Sequence, residues 1–346
     1  MRTLKNKFLL LITISFTILG SAAVSFPVEA APPSDAGFYV QAILPENQLD
    51  RNLTYFDLRM APGQTQQLEI EITNQLDTSL LINIETISAS TNRHGIIDYT
   101  TPSIHDKSLR VPFSTIANTK EDTILIPAKS SETAVVNVEM PNDPFDGVIL
   151  GGLVFTREKE KTVTAKTTTI NNIFSYVVGV KLSENDVNVS PQFELTCVTP
   201  KTVNYQPEFV HAIRNTQAAI AKDVDVTISV QDQDGVIWAH TSKTNIDMAP
   251  NSTMPLGVAL KREEFKAGTY LSEVLIRYNE EVFNYQEEFV ITAAESDFIN
   301  DGIISEDSAN IHLQHILLAL LLTFIIVISL IVLLKKKHSL KGGCLR

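Results

Sequence analysis

The residues that most readily do chemistry are few and scattered. His94, His105, His211 and His240 stand far apart, and no Gly-x-Ser-x-Gly, His-Glu-x-x-His or phosphate-binding glycine loop accompanies them. His312 and His315 fall at helical spacing before a long apolar run, where a metal pair and a polar interfacial collar are both open readings. Asp232-x-Asp234-Gly235 has the opening of a calcium loop, but no Glu stands at the closing position, and a hairpin turn accounts for it. Cys197 alternates within Phe193–Val198 as a small core residue would. Paired carboxylates suit glycoside hydrolysis, yet Trp238 is the only Trp available for stacking on sugars. The expectation is a protein with no catalytic group, no bound metal and no cofactor.

The elements that must carry these residues read as strands. Leu68-Glu69-Ile70-Glu71-Ile72 and Val224-Asp225-Val226-Thr227-Ile228-Ser229-Val230 alternate apolar and polar, the period of a sheet with one buried face. Ala134, Val136, Val138 and Met140 share a face in the same way. Asn92-Arg93-His94-Gly95, Asp232–Gly235 and Lys266-Ala267-Gly268 are turn signals between such runs. Short antiparallel strands at regular spacing predict an all-β protein of two tandem immunoglobulin-like β-sandwich domains. The polar stretch Arg157–Thr169 is a linker or a long exposed hairpin tip. Taken as a linker, it divides the chain into domains at 36–160 and 168–294, followed by a stalk at 295–315.

Both ends carry export signals. Arg2, Lys5 and Lys7 precede an apolar run from Phe8 to Leu19, then small residues ending in Ala30-Ala31. The run of about 12 residues is short of the roughly 20 a bilayer requires, so residues 1–30 read as a signal peptide cleaved between Ala30 and Ala31. At the other end 316–334 is uncharged and apolar, with an insertion free energy of about −5 to −10 kcal/mol. Lys335-Lys336-Lys337 opens a basic tail at 335–346, which places the C-terminus in the cytoplasm and the bulk of the chain outside. No Leu-Pro-x-Thr-Gly precedes the span, so the expected anchor is a single transmembrane helix.

Two cysteines, Cys197 and the tail's Cys344, allow no disulfide within the outer part, which fits a bacterial surface protein better than a stapled eukaryotic one. Net charge is −12, and because eight of the 28 Lys and Arg lie in the two ends the outer part is more acidic still, with 20 bases against 39 acids. An acidic ectodomain repels nucleic acid and favours a neutral or basic partner.

Several spaced motifs then point to one family. They are Phe38–Gln48, Tyr55-Phe56-Asp57-Leu58, Pro62-Gly63-Gln64, Thr91–Tyr99, Met140-Pro141 and Phe145–Gly152, followed by Tyr176–Leu182, Met248–Ser252 and Ala267–Tyr270. The chain resembles the WxL-interacting proteins of Gram-positive bacteria, with a peptidoglycan-binding domain followed by a host-binding domain. Val282-Phe283-Asn284-Tyr285 departs from the pattern where a Trp is expected. The resemblance implies a non-enzymatic, membrane-anchored adaptor whose partners are peptidoglycan and a WxL-domain surface protein or a host extracellular protein. The alternative is a structural or sensory subunit of a membrane complex that binds proteins only. Tyr39, Tyr55 and Phe56 are the candidate ligand-binding residues, stacking on glycan rings where exposed and packing in the core where not. Sequencing the N-terminus of protein recovered from cells is expected to give Ala31 as the first residue, and a chain still starting at Met1 would contradict the signal-peptide reading.

Overall fold

The computed structural model describes residues 36–100, 105–158, 173–261, 264–301 and 320–323. The alternating segments form two β-sandwiches in succession. In the first, β1 (Phe38–Ile43), β3 (Thr65–Asn74), β9 (Ser131–Glu139) and β7 (Ala117–Thr119) make one sheet in that order. The facing sheet runs β2 (Phe56–Arg59), β11 (Ser175–Ser183), β10 (Val148–Arg157), β4 (Leu80–Ser88) and β8 (Thr123–Ile126). β2 joins β11 in parallel, and the other pairings are antiparallel. A short hairpin, β5 (Ser90–Thr91) and β6 (Ile97–Asp98), and a one-turn helix α1 (Phe113–Ile116) complete this half. Leu68, Ile70 and Ile72 meet Val136, Leu153 and Phe155 in its core, while Glu69 and Glu71 face water. Each such side chain contributes about 1.5–3 kcal/mol on burial. Gly151 faces the same core because a Cβ there would come within 2.1 Å of the Phe113 ring.

The second sandwich packs β12 (Phe193–Val203), β13 (Gln206–Asn215) and β16 (Ser252–Ala259) against β15 (Ile237–Met248), β14 (Ala221–Asp232), β17 (Gly268–Tyr278) and β18 (Glu281–Ile291). Val224, Val226, Ile228 and Val230 enter its core, joined by an aromatic group in which Phe209 meets Phe265, Tyr270 and Phe289. Helix α2 (Ala293–Asn300) starts on a capping box between Thr292 and Glu295. Ser296 Oγ and Asn300 Nδ2 both donate to the Phe265 carbonyl oxygen, so α2 closes the end of this sandwich.

Three expectations change. Ser175–Ser183, assigned in sequence to the second domain, is β11 of the first. Its Val178, Val180 and Leu182 enter the first core, and it pairs with β10 from Val148↔Ser183 to Thr156↔Ser175. The polar stretch after β10 therefore joins two antiparallel neighbours, the hairpin alternative, and the seam between domains falls after Ser183. Residues 295–300, expected in the stalk, belong to the packed helix α2. Cys197 is exposed because the register of β12 against β13 slips between Leu195 and Val198, turning its side chain out of the core. Among the described residues no helix is long and apolar enough to cross a membrane. The expected signal peptide with Ala30 and Ala31, nearly all of the span 316–334 and the tail lie outside those residues.

The sandwiches meet across a polar seam. The β5–β6 hairpin lies against β15 and β16. Asp247 N donates to the Gly95 carbonyl oxygen at 2.9 Å, and Ala249 N to Thr91 Oγ1 at 3.0 Å. Thr91 and Ser252 share a hydrogen bond between hydroxyls that are both buried. Arg93 pairs with Glu208. Asp106 receives Arg214 through Nε at 2.8 Å and Nη2 at 2.6 Å, together with the hydroxyls of Thr253 and Ser108. The Asp106 side chain is only 4% exposed. Burial opposes its charge, but these hydrogen bonds outweigh burial and hold the carboxyl well below the usual carboxylate range. Val148 N adds a bond to the Ala218 carbonyl oxygen at 2.8 Å.

His211 is fully buried in the second core, with Nδ1 3.2 Å from the Phe209 carbonyl oxygen and Nε2 2.8 Å from Ser272 Oγ. Burial dominates and pushes its pKa down to about 4, although backbone hydrogen bonds at Phe209 and Leu256 oppose the shift. It is a structural imidazole held neutral.

Both shifted groups have lowered pKa values in the folded chain, so each contributes stability at neutral pH that is lost on acidification. The His211 contribution falls as pH drops from about 6.5 towards 4, and the Asp106 contribution falls below about pH 4. Arg214→Ala is expected to cost about 1.5–3 kcal/mol at pH 7 and to shrink the loss below about pH 4 while leaving the His211 branch intact. Urea titrations between pH 3 and 8 measure both effects. A fragment ending at residue 160 lacks β11 and is expected to show no cooperative melt by near-ultraviolet circular dichroism, whereas one ending at residue 192 melts cooperatively.

Candidate functional site

The three candidate aromatic residues do not gather at one place. Phe56 is a core residue with no exposed surface. Its backbone position on β2 turns it inward beside Leu58, so it touches no ligand. Tyr39 is exposed on the outer face of β1, opposite Thr73 and on the same strand face as Gln41 and Ile43. Tyr55 precedes β2 and lies on the outer face of the other sheet, on the far side of the sandwich.

Tyr55 belongs to a better-built surface. Its ring lies over Gly179 of β11, 3.9 Å from where a Cβ would stand. The residue across the ladder from Gly179 is Gly152 of β10, and Tyr99 sits over it. A side chain at Gly152 would come within 2.9 Å of Tyr99, so the glycine is what allows that ring to lie on the sheet. Tyr99 is half-buried, and burial first, with Tyr55 nearby second, pushes its hydroxyl up to about 12. Val177 is exposed beside the pair, and Lys181 meets Asp57 at 3.2 Å one step along the strands. Two phenol rings on a glycine floor, flanked by an ion pair, offer apolar faces for the C–H side of a sugar ring and polar groups for its hydroxyls. Tyr99 lies in the Thr91–Tyr99 motif, but nothing in its spacing brings it to Tyr55; the β10–β11 pairing does that.

Other motif residues are structural. Asn47 Nδ2 donates to the Arg59 carbonyl oxygen and to Gln66 Oε1. Gln48, buried, donates from Nε2 to the carbonyl oxygens of Asp50 and Tyr55 and accepts from Asp57 N. These bonds hold the loop that presents Tyr55. Pro62-Gly63 forms a turn closed by Gln64 N to the Ala61 carbonyl oxygen, with Gly63 at φ +68°. Asp232 closes its hairpin by accepting from the backbone N–H of Asp234 and Val236, and its second oxygen takes Trp238 Nε1 at 2.8 Å. The calcium-like spacing is thus a turn. No cluster of potential metal ligands occurs among the described residues.

A cavity of about 560 Å³ opens at the seam between the sandwiches, bounded by Lys107, Arg110, Phe145, Val148, Gln217 and Asn251. It lies beside the Asp106 cluster and draws its walls from both halves.

A family model described as the WxL-interacting protein, peptidoglycan-binding domain, matches residues 38–157. A second, described as the WxL-interacting protein, host-binding domain, matches residues 165–301. No curated protein matches the chain. Solved structures with some likeness include the Pseudomonas aeruginosa CupB2 chaperone, at 12% identity and a TM-score of 0.28, with 67% of this chain and 96% of that chain covered. The E. coli chaperone DraB matches at 10% identity and a TM-score of 0.28, covering 73% and 95%. The PapD-like domain of human CEP192 matches at 10% identity and 0.27, covering 49% and 98%. These likenesses are too distant to bear on function. The two family matches span most of the chain in domain order, and the chain belongs to the WxL-interacting protein family.

Proposed function

We propose that this chain is a non-enzymatic adaptor at the bacterial cell surface, held in the membrane by the apolar span 316–334. Its first sandwich holds peptidoglycan, and its second engages a WxL-domain surface protein or a host extracellular protein. The observation that carries this reading is the pairing of each sandwich with one binding domain of the family, β11 alone among the described strands crossing from the second match into the first sandwich. Supporting it, the Tyr55–Tyr99 face is the surface of the first sandwich best suited to a glycan. The hydrogen-bonded seam would hold the two binding surfaces at a fixed separation, so that a grip on the wall sets where the second sandwich points.

Sedimentation of the purified full chain with peptidoglycan sacculi tests the first role. Tyr55→Ala is expected to weaken binding about tenfold, equivalent to about 1.4 kcal/mol, and Tyr39→Ala to leave it unchanged. Sacculi that fail to bind the wild type sink the peptidoglycan role, and an equal effect of the two substitutions sinks the assignment to the Tyr55–Tyr99 face. Crosslinking on intact cells, with identification of what is attached, tests the second role.

A further inference from the structure

Eight strands end the four larger sheets among the described residues, and seven of them are blunted. β1 has 6 residues, β2 and β8 have 4 each, and β7 has 3. β12 contains Pro200 and the register slip at Leu195/Val198. β16 carries Pro255 in its middle. β15 slips register against β14 at three places, carries Lys243, and is met near its end by Gly95 of the first sandwich. Short length, proline, bulges, lysine and cover are the devices by which sheets keep other strands from pairing with a free edge.

β18 is neither short, bulged nor interrupted by proline, and the charges it carries are glutamates, with Glu287 at the same strand parity as Phe283, Tyr285 and Phe289. It runs for 11 residues, Glu281–Ile291, with no Pro and no Lys. It pairs with β17 without a slip from Tyr278↔Glu281 to Gly268↔Ile291. No other strand pairs with it among the described residues. Val282 and Val290 are more than half exposed on its outer face, with Asn284, Gln286 and Glu288 between them. Phe283, Tyr285 and Phe289 point to the core side, and Tyr285 donates to the Phe193 carbonyl oxygen, so the strand is held straight from beneath. A long, regular strand with an open ladder and an exposed valine near each end of one face is a template for a further strand.

The charge on the edge selects the occupant. Glu281, Glu287 and Glu288 lie on β18 and Glu280 precedes it, while on β17 Glu273 accepts from Gln286 and Arg277 is the one base. A second copy of this strand would bring its own glutamates against these. An extended segment with lysine or arginine at alternate positions would set its bases on one face of the sheet, beside Glu281 and Glu287 or, one residue over, beside Glu288, and would be favoured either way. We propose that the free edge of β18 is where the partner protein docks, by adding an extended basic segment as a fifth strand to the β15–β14–β17–β18 sheet. This rests on the reading that the second sandwich engages a partner protein.

The test uses the full chain in detergent micelles with three nine-residue peptides. One alternates valine and lysine, one replaces lysine by glutamate, and one is the lysine peptide N-methylated at every peptide group. Hydrogen exchange is followed along the chain. The lysine peptide is expected to slow exchange in residues 281–291 at least tenfold, without effect on β12 or β15, and to lose that effect in high salt. The glutamate and N-methylated peptides are expected to do nothing. Glu281→Lys with Glu288→Lys, both exposed, is expected to keep the melting temperature and to reverse the preference to the glutamate peptide. Absence of protection in β18, or equal protection by the N-methylated peptide, overturns the proposal. On intact cells, a partner crosslinked equally to wild type and to this double variant overturns the edge assignment but leaves the second sandwich's partner role standing. Absence of any crosslinked partner with wild type removes that role, and with it the premise of the edge assignment.

Discussion

At the seam between the sandwiches a carboxylate has been taken out of water. The Asp106 side chain is almost wholly buried, and an unpaired carboxylate there would be costly. Arg214 answers it with two N–H groups from the other domain, and Thr253, also from the other domain, adds a hydroxyl. The arrangement is satisfied only when the two sandwiches sit in one relative position. Arg93 with Glu208 and Thr91 with Ser252 and Ala249 repeat the constraint nearby. Such buried polar contacts add less stability than apolar packing would, but they specify geometry, because each unmet partner carries a penalty.

Held in that geometry, the two halves present different surfaces. The first presents the Tyr55–Tyr99 face on the outside of one sheet, where Gly152 and Gly179 leave room for the rings. The second presents the open ladder of β18 at the edge of another. The cavity at the seam is bounded by residues of both, so any ligand there would touch the same junction that fixes their orientation. Binding at one end can position the other without a moving part, provided the seam stays closed.

Much of the fold was legible from residue types. The two-residue period of Leu68–Ile72 and Val224–Val230 marks strands because opposite faces of a sheet meet different solvents. Asp232–Gly235 reads as a turn from its residue chemistry alone, and the structure shows Asp232 closing it. Two readings needed pairing information. A polar stretch after β10 looks the same whether it links domains or tips a hairpin, and only the ladder between β10 and β11 distinguishes them. Cys197 has the right parity for the core, but a register slip next to it reverses the face.

The sequence by itself determined the fold class, the order of two sandwich-like halves and the family, because these follow from local periodicity and from motifs whose residues serve turns and loops. It also supplied the expected export signal and membrane span, which follow from charge and apolar run length. Tertiary structure decided where β11 belongs, that Phe56 is core while Tyr55 is surface, and that Tyr39 and Tyr55 lie on opposite faces. It alone brought Tyr99 to Tyr55 and Arg214 to Asp106, and set β18 at the end of its sheet with no further strand paired to it among the described residues. The physical reason is common to all of these: which strand pairs with which, and in what register, depends on contacts between residues far apart in the chain, and one step of register exchanges buried for exposed.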